Sequence, residues 1–245
     1  MKDNFSNQSA AYAKWRPSYP TALFDYLKTL PIDRNLAWDC GTGNGQLAVE
    51  LARLFDRVEA TDISANQLAN AHLSSKITYS LQPAEQTNFP DSIFDLVTVA
   101  QAIHWFDFEL FYQEVKRVAK PSALLVVVGY GGLKISPALD TLIGKFYKDT
   151  LGTYWDYERR YIDENYQSIP FPFKELAVPA FESVLSWTFE HLVGYLKTWS
   201  AVKHFEQVHG YNPVDVISPS LAQAWGTAPT YSVRFPILLR VGKIH

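Results

Sequence analysis

The chain has 245 residues, a formal net charge of −3, 47% hydrophobic residues and a single cysteine, Cys40. That length supports one sizeable α/β domain, and an even charge balance without a lysine- or arginine-rich run gives no electrostatic footprint for nucleic acid. One cysteine excludes an intrachain disulfide and argues against a cysteine-rich zinc site, and no segment approaches a membrane span, so the expected location is the cytoplasm.

In chain order, residues 9–20 form a polar leader dotted with aromatics and broken by Pro17 and Pro20. A helix is expected over residues 21–30, with Leu23, Leu27 and Leu30 on one face and Pro31 as its stop. Leu36–Cys40 reads as a short buried strand, followed by a turn holding Gly41, Gly43 and Gly45. Residues 47–55 then carry Leu47, Leu51, Leu54 and Phe55 at helical spacing. Glycines permit a sharp turn and close approach of a ligand, and unpaired amides at the start of the next helix can hold an anionic or hydrogen-bonding cofactor group. The following apolar run ends on Asp62, and a carboxylate at a strand tip can accept both hydroxyls of a ribose.

Residues 64–73 read as a helix capped by Ser64, and Ile77–Leu81 as a third strand leading into a turn with Ala84 and Glu85. Leu96 to Ala100 form a fourth strand whose carboxyl end carries Gln101, Ala102, His104 and Trp105. In open α/β sheets that end is where ligands bind. A helix over residues 108–119 turns Phe111, Val115 and Val118 inward and is closed by Pro121, and residues 123–128 give a fifth, fully apolar strand. Such alternation predicts a doubly wound, mostly parallel sheet. Beyond Gly132 the pattern changes. Helices are expected over 137–150, 155–167 and 191–207, with a strand over 181–189 and a last strand over 231–244 interrupted at Pro236, as suits an edge or a bulge. The organisation expected is one domain: a lid and first helix at 1–30, a core at 31–130, a helical cap at 131–226 and the final strand at 227–245.

Asp39-x-Gly41-x-Gly43-x-Gly45 with Asp62 at the next strand end resembles the S-adenosylmethionine (SAM) site of class I methyltransferases. A dinucleotide site wants G-x-G-x-x-G, and here the third glycine comes one position early. Tyr12-x-x-x-Arg16-Pro17-x-Tyr19-Pro20 and Ala102-x-His104-Trp105-Phe106 are similar to signatures of a small-molecule subgroup that includes trans-aconitate methyltransferase-like and type 11 methyltransferases. Thr198-Trp199-Ser200-Ala201 also recurs there. The resemblance implies a seven-stranded Rossmann-like sheet with its last strand antiparallel, a helical cap, and a leader folded over the cofactor pocket. Carried over by position, SAM would be held by Tyr12, Tyr19, Asp39, Gly41, Gly43, Asp62, Ile63, Ala84, Glu85, Gln101 and Ala102. Trp105 and Trp199 would face the acceptor, with Arg16 and His104 as the catalytic pair.

The activity so implied is methyl transfer to a small molecule through an oxygen nucleophile, a carboxylate or a hydroxyl. A carboxylate is already ionised and needs only a cationic clamp, for which Arg16, Arg159 and Arg160 are candidates; a hydroxyl or amine needs a base, for which His104 has a suitable ordinary pKa of about 6.5. No Asn-Pro-Pro-Tyr-like element follows the fourth strand, against DNA adenine or protein glutamine targets. The histidines show no HExxH-like spacing, so no metal is expected. A monomer or homodimer without nucleic-acid or membrane partners fits this reading. A nicotinamide-dependent oxidoreductase and a non-catalytic SAM-binding protein are the alternatives.

Overall fold

The computed structural model describes residues 14–245, so the expected role of Tyr12 falls outside the described residues. Five strands alternate with helices through the first half: β1 (Leu36–Cys40), β2 (Arg57–Asp62), β3 (Ile77–Leu81), β4 (Phe94–Ala100) and β5 (Ala119–Tyr130). They pair in parallel, and with β6 (Lys174–Glu175), β7 (Phe181–Trp187) and β8 (Tyr231–Lys243) they form one sheet ordered β3-β2-β1-β4-β5-β8-β6, with β7 also on β8. β8 runs antiparallel to β5, and β6 and β7 share its other edge. The mostly parallel fold is as expected, with eight strands because the two-residue β6 adds one to the seven. Strand order reverses at β1, which has β2 on one side and β4 on the other. A crevice therefore opens beyond the carboxyl ends of β1 and β4.

Side-chain alternation along the strands builds two apolar layers. Ala37, Leu96, Leu124 and Val126 point to one face and pack under α1 (Thr21–Thr29) and α2 (Gln46–Leu51). Trp38, Val97, Leu125 and Val127 point to the other and pack under α4 (Phe108–Val118), which follows the short α3 (Ala65–Ala69). Trp38 is fully buried and stacks on Phe94 at 5.9 Å. Burial of so large a ring fixes how β1 sits on β4.

A third apolar cluster forms the cap from α5 (Pro137–Lys145), α7 (Phe189–Lys197), α8 (Ser200–His209) and α9 (Pro213–Trp225), with α6 (Arg160–Asp163) lying between α5 and β6. Several boundaries differ from expectation. The helix expected over 191–207 breaks in two: the Thr198 hydroxyl donates to the Tyr195 carbonyl at 2.6 Å, and Trp199 is extended with ψ 137°. Residues 155–167 hold a 3-10 turn, Tyr157–Arg159, and the four-residue α6, which ends where Asn165 and Tyr166 take positive φ. The helices expected over 47–55 and 64–73 shorten to α2 and α3. Pro121 does not close α4: the chain is already extended at Ala119, and the proline sits in a bulge of β5 where the register against β4 shifts. Pro236 does not interrupt β8. It lies just past the last β5 pair, its carbonyl accepts from Gly131 N–H at 2.9 Å, and pairing continues on β7. Among the described residues no helix is long and apolar enough to cross a membrane.

Candidate active site

The glycine turn leaves β1 with Gly41 at φ +65° and Gly43 at φ +59°, a region that side-chain-bearing residues enter only at a cost. A Cβ at Gly41 would lie 2.8 Å from the Cβ of Ala102, so glycine lets β1 and the end of β4 meet; at Gly43 nothing lies within 4 Å. Asp62 braces the turn from the tip of β2. One of its oxygens accepts from Gly43 N–H at 2.8 Å and the other from Ser64 N–H at 2.9 Å. A carboxylate has about four acceptor sites, two on each oxygen.

An open cleft of about 120 Å³ lies over this turn. Its walls include Gly41, Gly43, Asp62 and Ile63 from the first two strands, Gln101, Ala102 and Trp105 from the end of β4, and Arg16 and Tyr19 from the leader. Among the described residues, three expected cofactor residues are not in that lining. Asp39 is fully buried below the turn, where the hydroxyls of Thr42 and Thr98 donate to its two oxygens at 2.6 and 2.7 Å. Burial pushes its pKa up to about 6 against those hydrogen bonds. Ala84 is buried in the Trp38 layer, and the Glu85 carboxylate accepts from Asp107 N–H at 3.1 Å. Sequence reasoning missed Gln67 and Tyr130, which also line the cleft. Tyr130 ends β5, so the carboxyl-end rule was the available signal; Gln67, a polar residue on the first turn after Asp62, gave none.

Gln101 has φ +53°, and its side-chain oxygen accepts from Tyr130 N–H at 2.8 Å. Left-handed backbone in a residue other than glycine is held by its surroundings and clusters at functional sites. Gln101, Arg16 and Trp105 form the common wall between the cleft and a second, smaller chamber of about 40 Å³. That chamber gathers His104 and Trp199 with Trp155, Asp156 and Arg159. Arg16 donates to the Tyr130 hydroxyl and to the Thr198 carbonyl, both at 3.1 Å. Arg159 donates to the Tyr147 hydroxyl at 3.1 Å, lies 5.0 Å from the Trp155 ring centre and pairs with Asp163 at 3.4 Å. Arg160 is not in this lining; it lies over the rings of Tyr157 and Tyr161 at 3.9 and 4.7 Å.

His104 is placed in the chamber but not as a base. It is 5% exposed, and burial, then the charge of Arg159, push its pKa down to about 3. The imidazole is neutral at pH 7 and a weak proton acceptor. Because the folded value lies below the unfolded one, the stability it contributes is present above about pH 6.5 and is lost as pH falls toward 3.

Residues 14–20 lie against the cap. Trp15 meets the ring of His191 edge-on at 5.0 Å and sits over Gly194, where any Cβ would approach the indole to 2.6 Å. The Ser183 hydroxyl donates to the Ser18 carbonyl at 2.8 Å. Gly194→Ala therefore expels Trp15 while improving the helix propensity of α7 by roughly 1 kcal/mol. The expected result is SAM affinity about tenfold lower, a loss of roughly 1.4 kcal/mol, with no fall in melting temperature. Calorimetric titration beside a thermal melt checks both signs.

The methyltransferase domain family profile matches residues 38–127. A chain described as a methyltransferase in Dictyostelium discoideum is 32% identical over 98% of this chain and 95% of its own length. The solved structure of a protein described as a type II methyltransferase from Anaeromyxobacter dehalogenans superposes with a TM-score of 0.86 at 39% identity, covering 94% of this chain and 98% of that one. A methyltransferase structure from Bacillus halodurans, at 19% identity and a TM-score of 0.53, shares the fold. None of these three names specifies an acceptor, and the oxidoreductase and non-catalytic alternatives fall away. The chain belongs to the methyltransferase domain family and is a SAM-dependent methyltransferase with a Rossmann-like fold.

Proposed function

We propose that this enzyme methylates an oxygen of a small carboxylic acid, with SAM in the larger cleft and the acid in the smaller chamber. One observation carries the reading: the two cavities share the wall of Arg16, Gln101 and Trp105, and the chamber beyond it holds two guanidinium groups and a histidine that burial keeps neutral.

The cleft suits the cofactor, because the Gly43 position opens without a neighbour and the Asp62 carboxylate stands beside it. Asp62 would take the ribose hydroxyls, the Gly41–Gly43 turn would pass under the amino-acid part, and Tyr19 and Trp105 supply aromatic surface. Such surface near a sulfonium adds cation–π attraction of about 0.5–2 kcal/mol. When bound, SAM supplies a methyl group on a positively charged sulfur that leaves as a neutral thioether, retaining the electron pair of the broken carbon–sulfur bond. The chain's own task is to orient and to exclude water. Arg16 and Arg159 would hold the acid by charge-assisted hydrogen bonds, leaving one carboxylate oxygen toward the shared wall. That oxygen is ionised already, so no residue has a proton to remove, and the product is a methyl ester.

His104→Gln accordingly lowers kcat by less than about tenfold and leaves the rate flat from pH 7 to 9, since losing a true general base costs about 10²–10⁴-fold. Steady-state kinetics across that range checks it. The class of nucleophile is tested with methyl-labelled SAM and a panel of small acids, phenols and amines. Label is expected in the acids and is released as methanol by alkali. Transfer to amines or phenols in place of acids overturns the carboxylate reading.

A further inference from the structure

Among the described residues, the acceptor chamber is lined by one acidic side chain beside its cations, and the mechanism above gives it no work. Asp156 and Arg159 both line the chamber, at the start and end of the 3-10 turn Tyr157–Arg159, where the Arg159 N–H donates to the Asp156 carbonyl at 2.9 Å. In a 3-10 turn, residues three apart stand on the same side. Yet the two do not pair with each other: Arg159 pairs with Asp163 at 3.4 Å, and Asp156 makes no cap hydrogen bond to its own turn. The Asp156 Oδ2 atom is buried and has no hydrogen-bond partner among the described residues. A buried carboxylate oxygen left in that state is costly unless something donates to it, and a neighbouring acid group on a ligand would repel it.

We infer that Asp156 selects acceptors that carry a hydrogen-bond donor, a hydroxyl or an ammonium, beside the carboxylate held by Arg16 and Arg159. This inference rests on the carboxylate reading of the chamber. Small hydroxy acids and amino acids then fit better than the parent acids. The hydroxyl or ammonium donates to the part of the Asp156 carboxylate that lines the chamber while the guanidiniums hold the acid group. A simple acid brings a second negative charge and no donor. Asp156 is not among the residues lining the cofactor cleft, so its effect falls on acceptor binding and leaves SAM affinity intact.

The probes are lactate and alanine against propionate, which differ by the donor alone. They are given to the wild type and to Asp156→Asn as methyl acceptors, and titrated calorimetrically into the protein loaded with S-adenosylhomocysteine. The expected result is kcat/KM for lactate or alanine about tenfold or more above propionate. That preference is lost in Asp156→Asn through KM, as the donors lose their ionised acceptor and propionate gains from removal of the repelling charge, with SAM affinity unchanged. Binding of the three probes to the loaded protein follows the same order. Equal use of all three acids by the wild type overturns the role of Asp156 and leaves the carboxylate reading standing. So does a preference that survives in Asp156→Asn. Binding of SAM without methyl transfer to any acid overturns the carboxylate reading and this inference with it.

Discussion

Asp62→Ala lowers the affinity for SAM by about 100-fold or more. Two charge-assisted hydrogen bonds to ribose hydroxyls contribute about 1.5–3 kcal/mol each, and tenfold in affinity corresponds to about 1.4 kcal/mol. The variant also strips acceptors from Gly43 N–H and Ser64 N–H, so the glycine turn loosens as the ligand contact is lost. Asp62→Asn keeps the shape and one acceptor oxygen, and its loss is expected nearer tenfold. Calorimetric titration of SAM and S-adenosylhomocysteine into all three proteins, with thermal melts to confirm folding, separates these outcomes. Unchanged affinity in Asp62→Ala would place the adenosyl group away from the tip of β2.

Asp95→Ala costs about 3–5 kcal/mol of folding stability and leaves SAM affinity within a few-fold when measured on folded protein. Asp95 is 1% exposed, accepts from the backbone N–H groups of Asn35 and Leu36 at 3.0 and 2.9 Å, and pairs with Lys120 at 2.6 Å. Removing one partner of such a group strands a cation and two amides, which is where the loss arises. The residue anchors the amino end of β1 to β4, roughly 20 Å of strand away from Gln101 at the cleft. Urea denaturation gives the stability and titration gives the affinity. A small change in the first would mean that the Trp38 layer alone holds β1 in register.

What could be read in advance follows the range over which each feature is determined. The Gly41–Gly45 turn, Asp62 and the placement of Gln101 and Trp105 are local: they need only a strand, its carboxyl end and the residue types present there. The motif position of Asp39 does not tell how far Thr42 and Thr98 draw it beneath the turn, outside the lining of the cleft. His104 shows the limit more sharply. Its position after β4 was legible, but its neutrality depends first on burial beneath the cap and then on Arg159, 55 residues later in the chain and brought to the chamber by a turn that periodicity took for a helix. The cap resisted for a related reason. The break at Thr198 is made by one side-chain hydroxyl, and Asp156 and Arg159 come to line one chamber with Trp199 only through that break and the turn at Tyr157–Arg159.

In the proposed reaction the methyl group passes across the wall of Arg16, Gln101 and Trp105. A crystal structure of the protein with S-adenosylhomocysteine tests it most directly. The account predicts the ribose hydroxyls on Asp62 and the sulfur facing that wall, with the chamber of His104, Arg159 and Trp199 on its far side. An adenosyl group bound elsewhere, or a sulfur directed away from the chamber, would contradict it.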